Sequence, residues 1–349
     1  MEKLTPNQSL SLESLRGVSA LSVVVAHFYQ LFLARYDASL YKYFALVAQS
    51  SVMIFFVMSG FLIGKSIQNN FQKNVYFSLP DYASSRFYRI YPPLIASIVI
   101  TFCLYQLAFH LFQSGGATFS NPDLWLKGRS LSFYPSHMIG VMTFTNGILN
   151  SPFSFNAPLW SLPFEAWYYV IAGLIFTRKP ILIAIAIMIF VFICSIKHEF
   201  FTYSKVWFFG LALSYAKINF NYSKPIAFIL LAIVGVHVYK HAVNFISHGE
   251  NIETYNMYFG LFFGLFLYLV ILCKDVKINI LPKSSKYSYS LYIIHFPIML
   301  FSIGCFENEV LNNSPFAMWY GIFVSLCAVL IAKLLSRYIE DPAFLRKYM

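Results

Sequence analysis

Runs of about 20 apolar residues, the length that spans a bilayer, recur ten times along this 349-residue chain. They lie at roughly 16–36, 44–67, 90–112, 157–177, 180–197, 201–217, 225–241, 256–273, 287–306 and 316–338. No single soluble core can hide ten such runs. Charged residues are 11% of the sequence and hydrophobic ones 58%, whereas soluble domains carry about 25% charge. Lipid is the solvent that fits, and in lipid a segment of this length satisfies its own backbone only as a helix. The expectation is an all-α polytopic membrane protein of about ten spans, with residues 1–349 as a single domain. Pro158, Pro180 and Pro225 fall at or near predicted helix starts, where a missing N–H costs nothing. The longest connection, 113–156, holds Gly115-Gly116, Asn121-Pro122, Pro135 and a weakly apolar piece at 137–149 too short to span.

A net charge of +11 would suggest nucleic acid in a soluble protein. Here its distribution along the loops matters more, because Lys and Arg in short loops stay on the cytoplasmic side. With the N-terminus inside, seventeen of the 25 Lys and Arg fall in segments 1–16, 65–89, 178–179, 217–224, 274–286 and 337–349. Seven fall outside and Lys333 lies within the last run. Both termini are therefore expected in the cytoplasm. The bilayer, not a nucleic acid, is the expected partner of the basic charge. The polar, mixed-charge start MEKLTPNQSLSLESLRG does not read as a cleavable signal. Five cysteines in or beside apolar runs, without a CxxC pair, are expected to pack as small buried hydrophobes, and no metal site is expected.

Away from the loops, the runs retain Arg16, His27, Glu165, His295 and Lys333. A charge at mid-membrane costs about 2.5–3.5 kcal/mol on insertion scales. Lys333 is close enough to the cytoplasmic edge to snorkel, and a lone imidazole can be a packing residue. Glu165, in NAPLWSLPFEAWYYV, needs a cationic or hydrogen-bonding partner, or a proton. Arg16 and His27 are eleven residues apart, close to three helical turns, hence on one face and about 16 Å apart along the axis. His295 enters from the same side and lies about 12 Å deep by the same arithmetic. The spacing predicts a tunnel with a cationic cytoplasmic mouth and imidazoles at its depth. Arg86 and Arg89, three apart in DYASSRFYRIYPPL, add two guanidiniums suited to bidentate phosphate contacts. The plainer alternative for them is positive-inside anchoring.

The segments that carry these residues resemble the integral-membrane acyltransferase type 3 family. RGVSALSVVVAHF, FFVMSGFLIG (55–64), SRFYRIYP (85–92), PLWSLPFEAWYY (158–169), YSLYIIHFP (289–297) and IEDPA (339–343) stand in the family's order. The resemblance implies ten transmembrane helices in a bacterial inner membrane. It implies transfer of an acyl group, usually acetyl from acetyl-CoA, to a hydroxyl of an envelope carbohydrate such as O-antigen, lipid-linked or not. No cofactor is held permanently; acyl-CoA is a substrate. Arg16 and His27 correspond to an essential first-helix pair and Arg86 and Arg89 to the paired arginines of the third helix. Glu165 and His295 fall within motifs. Many relatives append a hydrolase-like domain, whereas this chain stops about ten residues after its last run, so the membrane unit is expected to act alone or with a partner protein.

The chemistry asks for a group that deprotonates a hydroxyl and for stabilisation of a tetrahedral oxyanion. An imidazole, with an ordinary pKa of about 6.5, suits the first task; acyl transfer through His27 as nucleophile is the alternative. Glu165 could orient the histidine or bind the acceptor, with Trp160 and Trp167 as stacking platforms. Ser59, Gly60 and Gly64 are expected to let helices approach closely. Two rival readings remain: another acceptor (a lipid, glucan or antibiotic sugar), and a proton-coupled transporter relaying through Glu165, His27 and His295.

Overall fold

A computed structural model describes residues 4–120, 131–216 and 223–340. Lys3, Lys127, Arg129, Lys217, Arg346 and Lys347 of the charge count, the Asn121-Pro122 pair and residues 341–343 of the IEDPA ending lie outside the described residues. Every element among the described residues is helical. In chain order they are α1 (Pro6–Phe28), α2 (Tyr41–Asn74), α3 (Leu79–Leu111), α4 (Pro135–Met142), α5 (Leu162–Phe176), α6 (Pro180–Ile196), α7 (His198–Leu213), α8 (Ser223–His248), α9 (Ile252–Phe266), α10 (Ser288–Cys305), α11 (Glu307–Asn312) and α12 (Ser314–Ile339). Turns of π-helix extend α1 (Tyr29–Leu33) and α9 (Leu267–Cys273), and 3₁₀ turns precede α5 (Ser154–Ser161) and α10 (Pro282–Tyr287).

Among the described residues, eight helices, counted with these extensions, are long and apolar enough to cross a membrane. The runs at 180–197 and 201–217 become α6 and α7, of 17 and 16 residues. At 1.5 Å per residue these are about 26 and 24 Å long, short of a hydrocarbon core of about 30 Å. The extended Lys197 (φ −130°, ψ 101°) separates them, closing α6 and opening α7, which ends at Leu213. Helix α3 departs from expectation the other way, starting at Leu79 rather than near residue 90. The preceding turn is closed by two bonds: Ser78 N–H to Asn70 Oδ1 (2.8 Å) and Asn70 Nδ2 to the Ser78 carbonyl (3.0 Å). Asp81 then sits in the first turn, where the helix dipole favours a carboxylate. Arg86 and Arg89 therefore lie within the helix body. The cysteines also differ from expectation: Cys103 is exposed and the other four are half-buried.

Two compact units divide the chain. The first comprises Met1–Ser19, Gln49–Arg86 and Phe164–Ser285. Its centre is the crossing of α2 and α7, where backbones meet. A Cβ at Gly60 would lie 2.0 Å from the Trp207 carbonyl oxygen, and one at Gly210 would lie 2.1 Å from that of Val57. Neither neighbour is a side chain that could move aside, so both positions need glycine, as anticipated for Gly60. On the same unit, α1 grips the extended segment 276–280 with serines three apart. Ser11 Oγ donates to the Val276 carbonyl (2.9 Å) and accepts from Ile278 N–H (2.8 Å). Ser14 Oγ repeats the pattern with Ile278 and Ile280.

The second unit comprises Ala20–Ala48, Phe87–Pro163 and Lys286–Met349. Its centre is α10, apolar all round and therefore an interior helix; 78% of the most apolar stretch of Pro282–Cys305 is buried. Pro297 lies inside it and removes the hydrogen bond that the Ile293 carbonyl would have accepted. Two side chains replace it. Ser97 Oγ donates to Ile293 O at 2.6 Å and Asn156 Nδ2 at 2.7 Å. Asn156 reaches there because its own backbone leaves helical geometry (φ −130°, ψ 63°).

Candidate active site

Within the second unit the structure brings together the two histidines that the sequence singled out. The His27 and His295 rings stack at 5.3 Å between centroids with 27° between planes. The edge of Phe296 closes on His27 at 5.1 Å and 78°. His295 is fully buried on α10, while His27, one residue before the end of α1, is half-buried.

Hydrogen bonding differentiates the ring nitrogens. His295 Nδ1 lies 2.8 Å from the Leu291 carbonyl oxygen, one turn back. A carbonyl can only accept, so Nδ1 carries the hydrogen and Nε2 keeps its lone pair. That Nε2 is buried without a hydrogen-bond partner among the described residues. His27 Nδ1 lies 3.0 Å from Gln30 Oε1, which by the same reasoning leaves Nε2 as the basic nitrogen. Each imidazole thus has Nδ1 engaged behind it.

Scaffolding around α10 explains why His295 stands where it does. The Ile293 carbonyl, two residues before it, is held by Ser97 and Asn156 as described. Tyr292 OH donates to the Pro158 carbonyl (2.7 Å) and pairs with Ser161 Oγ (2.8 Å). At the start of α10, Glu340 Oε1 accepts from Ser290 N–H (2.8 Å) and Ser290 Oγ (2.5 Å), a carboxylate at a helix N-terminus. The glutamate of the IEDPA ending thus pins the helix that carries His295.

In the first unit Glu165, in the first turn of α5, accepts from Ser59 Oγ (2.5 Å) and from Tyr169 OH. Ser59 Oγ in turn accepts from Trp207 Nε1 (3.1 Å). The expected partner of Glu165 is thus a pair of hydroxyls. Arg86 is half-buried; its Nη2 donates to Ser85 Oγ (2.8 Å) and Ser66 Oγ (3.3 Å), and its guanidinium lies 6.0 Å from the Tyr82 ring centre. Its Nε is buried with no acceptor among the described residues. Arg16, on α1, is half-buried.

The remaining expected residues divide between the units. Arg89, one turn along α3 from Arg86, is exposed and belongs to the second unit, as does the half-buried Trp160 in the 3₁₀ turn before α5. Trp167, half-buried on α5, belongs to the first. No group of three or more His, Cys, Asp or Glu among the described residues is placed to hold a metal ion. Gln30, Ser97, Asn156 and Glu340 did not emerge from the sequence as site residues; Glu340 alone had a signal, its place in IEDPA.

A family model described as "Acyltransferase domain" matches residues 9–336. The chain is 23% identical over 359 residues to an O-acetyl transferase of Shigella phage Sf6, covering 98% of this chain and 97% of that protein. No solved structure matches.

Proposed function

The chain belongs to the acyltransferase family whose model spans residues 9–336 and is an O-acetyltransferase; we propose that it moves acetyl from acetyl-CoA to a hydroxyl of a cell-envelope carbohydrate. The observation that carries this reading is the stacked imidazole pair, with both Nδ1 atoms engaged and Nε2 of His295 buried without a partner among the described residues. Nε2 of His27 takes the proton of the acceptor hydroxyl, and the oxygen forms a bond to the thioester carbonyl carbon. The tetrahedral species collapses with cleavage of the C–S bond. The departing sulfur takes the proton from the imidazolium, which returns His27 to neutrality and releases CoA as a thiol. His295 stacks on His27 and holds its ring in place. Arg16, Arg86 and Arg89 are each assigned to CoA phosphate; the Arg86 guanidinium bonds the hydroxyls of Ser85 and Ser66, and its buried Nε has no acceptor among the described residues. Glu165, Trp160 and Trp167 are each candidates for acceptor binding.

Purified protein incubated with acetyl-labelled CoA and envelope glycans tests this reading. Label in the glycan supports it. Label confined to lipid or another acceptor overturns the carbohydrate, and solute flux without acyl transfer overturns the enzyme in favour of a transporter.

The protein is a multi-pass membrane protein. In the proposed topology α6 and α7 complete ten spans and both termini face the cytoplasm of a bacterial inner membrane, on the strength of the charge bias. In a variant lacking native cysteines, an impermeant thiol reagent added to intact cells should label Asn251→Cys and spare Asn7→Cys. The reverse pattern overturns the orientation.

A further inference from the structure

We propose that Gln30 is a positioning residue that fixes His27 in its Nδ1–H form and so makes Nε2 the reacting nitrogen; this rests on the reading of His27 as the base. Gln30 is 6% exposed, and its Oε1 lies 3.0 Å from His27 Nδ1. Few polar side chains are buried this deeply next to a proposed base, and an amide is costly to bury without partners.

The backbone is shaped to deliver it. The chain leaves α-helix at Phe28 and makes a π turn over Tyr29–Leu33, closed by Ala34 N–H donating to the Tyr29 carbonyl at 2.9 Å. Such widened turns recur at functional sites because they re-aim side chains without ending the helix. Here the turn begins two residues after His27 and contains Gln30.

Ring packing supplies the second constraint. A half-turn of the imidazole about its Cβ–Cγ bond would put Cδ2 where Nδ1 stands and break the contact with Gln30. His295 stacks on the ring at 5.3 Å and Phe296 packs against it at 5.1 Å and 78°, so the ring is held. Packing fixes the plane and Gln30 fixes the proton. A histidine base needs a third group behind it that sets its tautomer and stabilises the imidazolium formed by proton transfer. The sequence offered Glu165 either for that duty or for acceptor binding; Glu165 accepts from Ser59 and Tyr169, and the group beside His27 Nδ1 is a neutral amide three residues along its own chain.

The test compares wild type with Gln30→Leu and Gln30→Glu. Nitrogen NMR of histidine-labelled protein, with the His27 signals identified by their loss in His27→Ala, should show wild-type His27 protonated at Nδ1. In Gln30→Leu the signals should move toward a mixture of tautomers. Its kcat for acetyl transfer should fall about tenfold, the scale of one hydrogen bond, while the KM for acetyl-CoA stays within about twofold, because donor binding is untouched. Gln30→Glu keeps an acceptor oxygen at the same reach and should recover most of kcat. Wild-type His27 protonated at Nε2, or Gln30→Leu with unchanged kcat, overturns the proposal. If Gln30→Leu does not fold, the wild-type spectrum and Gln30→Glu decide, and a tenfold loss in Gln30→Glu counts against it. Wild type that shows no His27-dependent transfer would remove the functional reading, yet the spectrum would still decide the hydrogen bond, so the two failures are told apart.

Discussion

His27→Ala will lower acetyl transfer by about 10²–10⁴-fold, the usual cost of losing a general base, in protein that still inserts and folds. The two halves of that expectation have separate grounds. The ring is half-buried, with His295 on one face and Phe296 at its edge, so its removal opens space beside the site more than in the core. Its Nδ1 lies 3.0 Å from Gln30 Oε1, and Nε2 is the nitrogen assigned to the chemistry in the proposed mechanism. His295 gives a contrasting case: it is fully buried on the central helix, where truncation costs packing as well as chemistry. The measurement is turnover with labelled acetyl-CoA on detergent-purified protein of matched folding. Near-normal turnover in His27→Ala would make this imidazole a packing residue and leave the proposed mechanism without its base.

Arg86→Gln will weaken binding of CoA about tenfold or more, the scale of a lost charge-assisted contact of about 1.5–3 kcal/mol. Arg86→Lys should recover only part of that loss, because an ammonium keeps the charge but not the planar fork. Arg86 already donates to Ser85 and Ser66, and its buried Nε awaits an acceptor, so a phosphate would complete a shell that is half built. If Arg86 only anchors α3 by charge, Lys will substitute fully. Titration of CoA into wild type and both variants separates these outcomes; equal affinity across the three would remove Arg86 from the donor site.

The parts of this molecule that were legible in its sequence are those governed by one helix at a time. Hydropathy marks the long helices because each must satisfy its backbone alone in lipid. His27, His295, Arg86 and Glu165 stood out as candidates for the related reason that ionisable groups in apolar runs need a purpose. What escaped depends on partners distant in the chain. The start of α3 at Leu79 is set by the reciprocal bonds of Asn70 and Ser78, in a stretch too polar to register as a span. The partners of Glu165 lie 106 residues away at Ser59 and one turn along its own helix at Tyr169. Asn156 looked like part of a loop because no local pattern announces a side chain that mends a carbonyl 137 residues later. Gln30 was hidden for another reason: polar residues just after an apolar run look like the end of a span, and only the π turn places this one behind the imidazole.

The mended carbonyl of Ile293 bears on the order in which this protein can be made. A bare carbonyl in hydrocarbon costs several kcal/mol, and Pro297 ensures that α10 enters the membrane with one. Ser97 and Asn156, which claim it, precede α10 in the chain and leave the ribosome first. When α10 is inserted, its donors are already waiting in the bilayer, and docking beside them is rewarded at once. A circular permutant that began with α10 would reverse this sequence, leaving its central helix exposed to lipid with an open acceptor until residues 97 and 156 arrived.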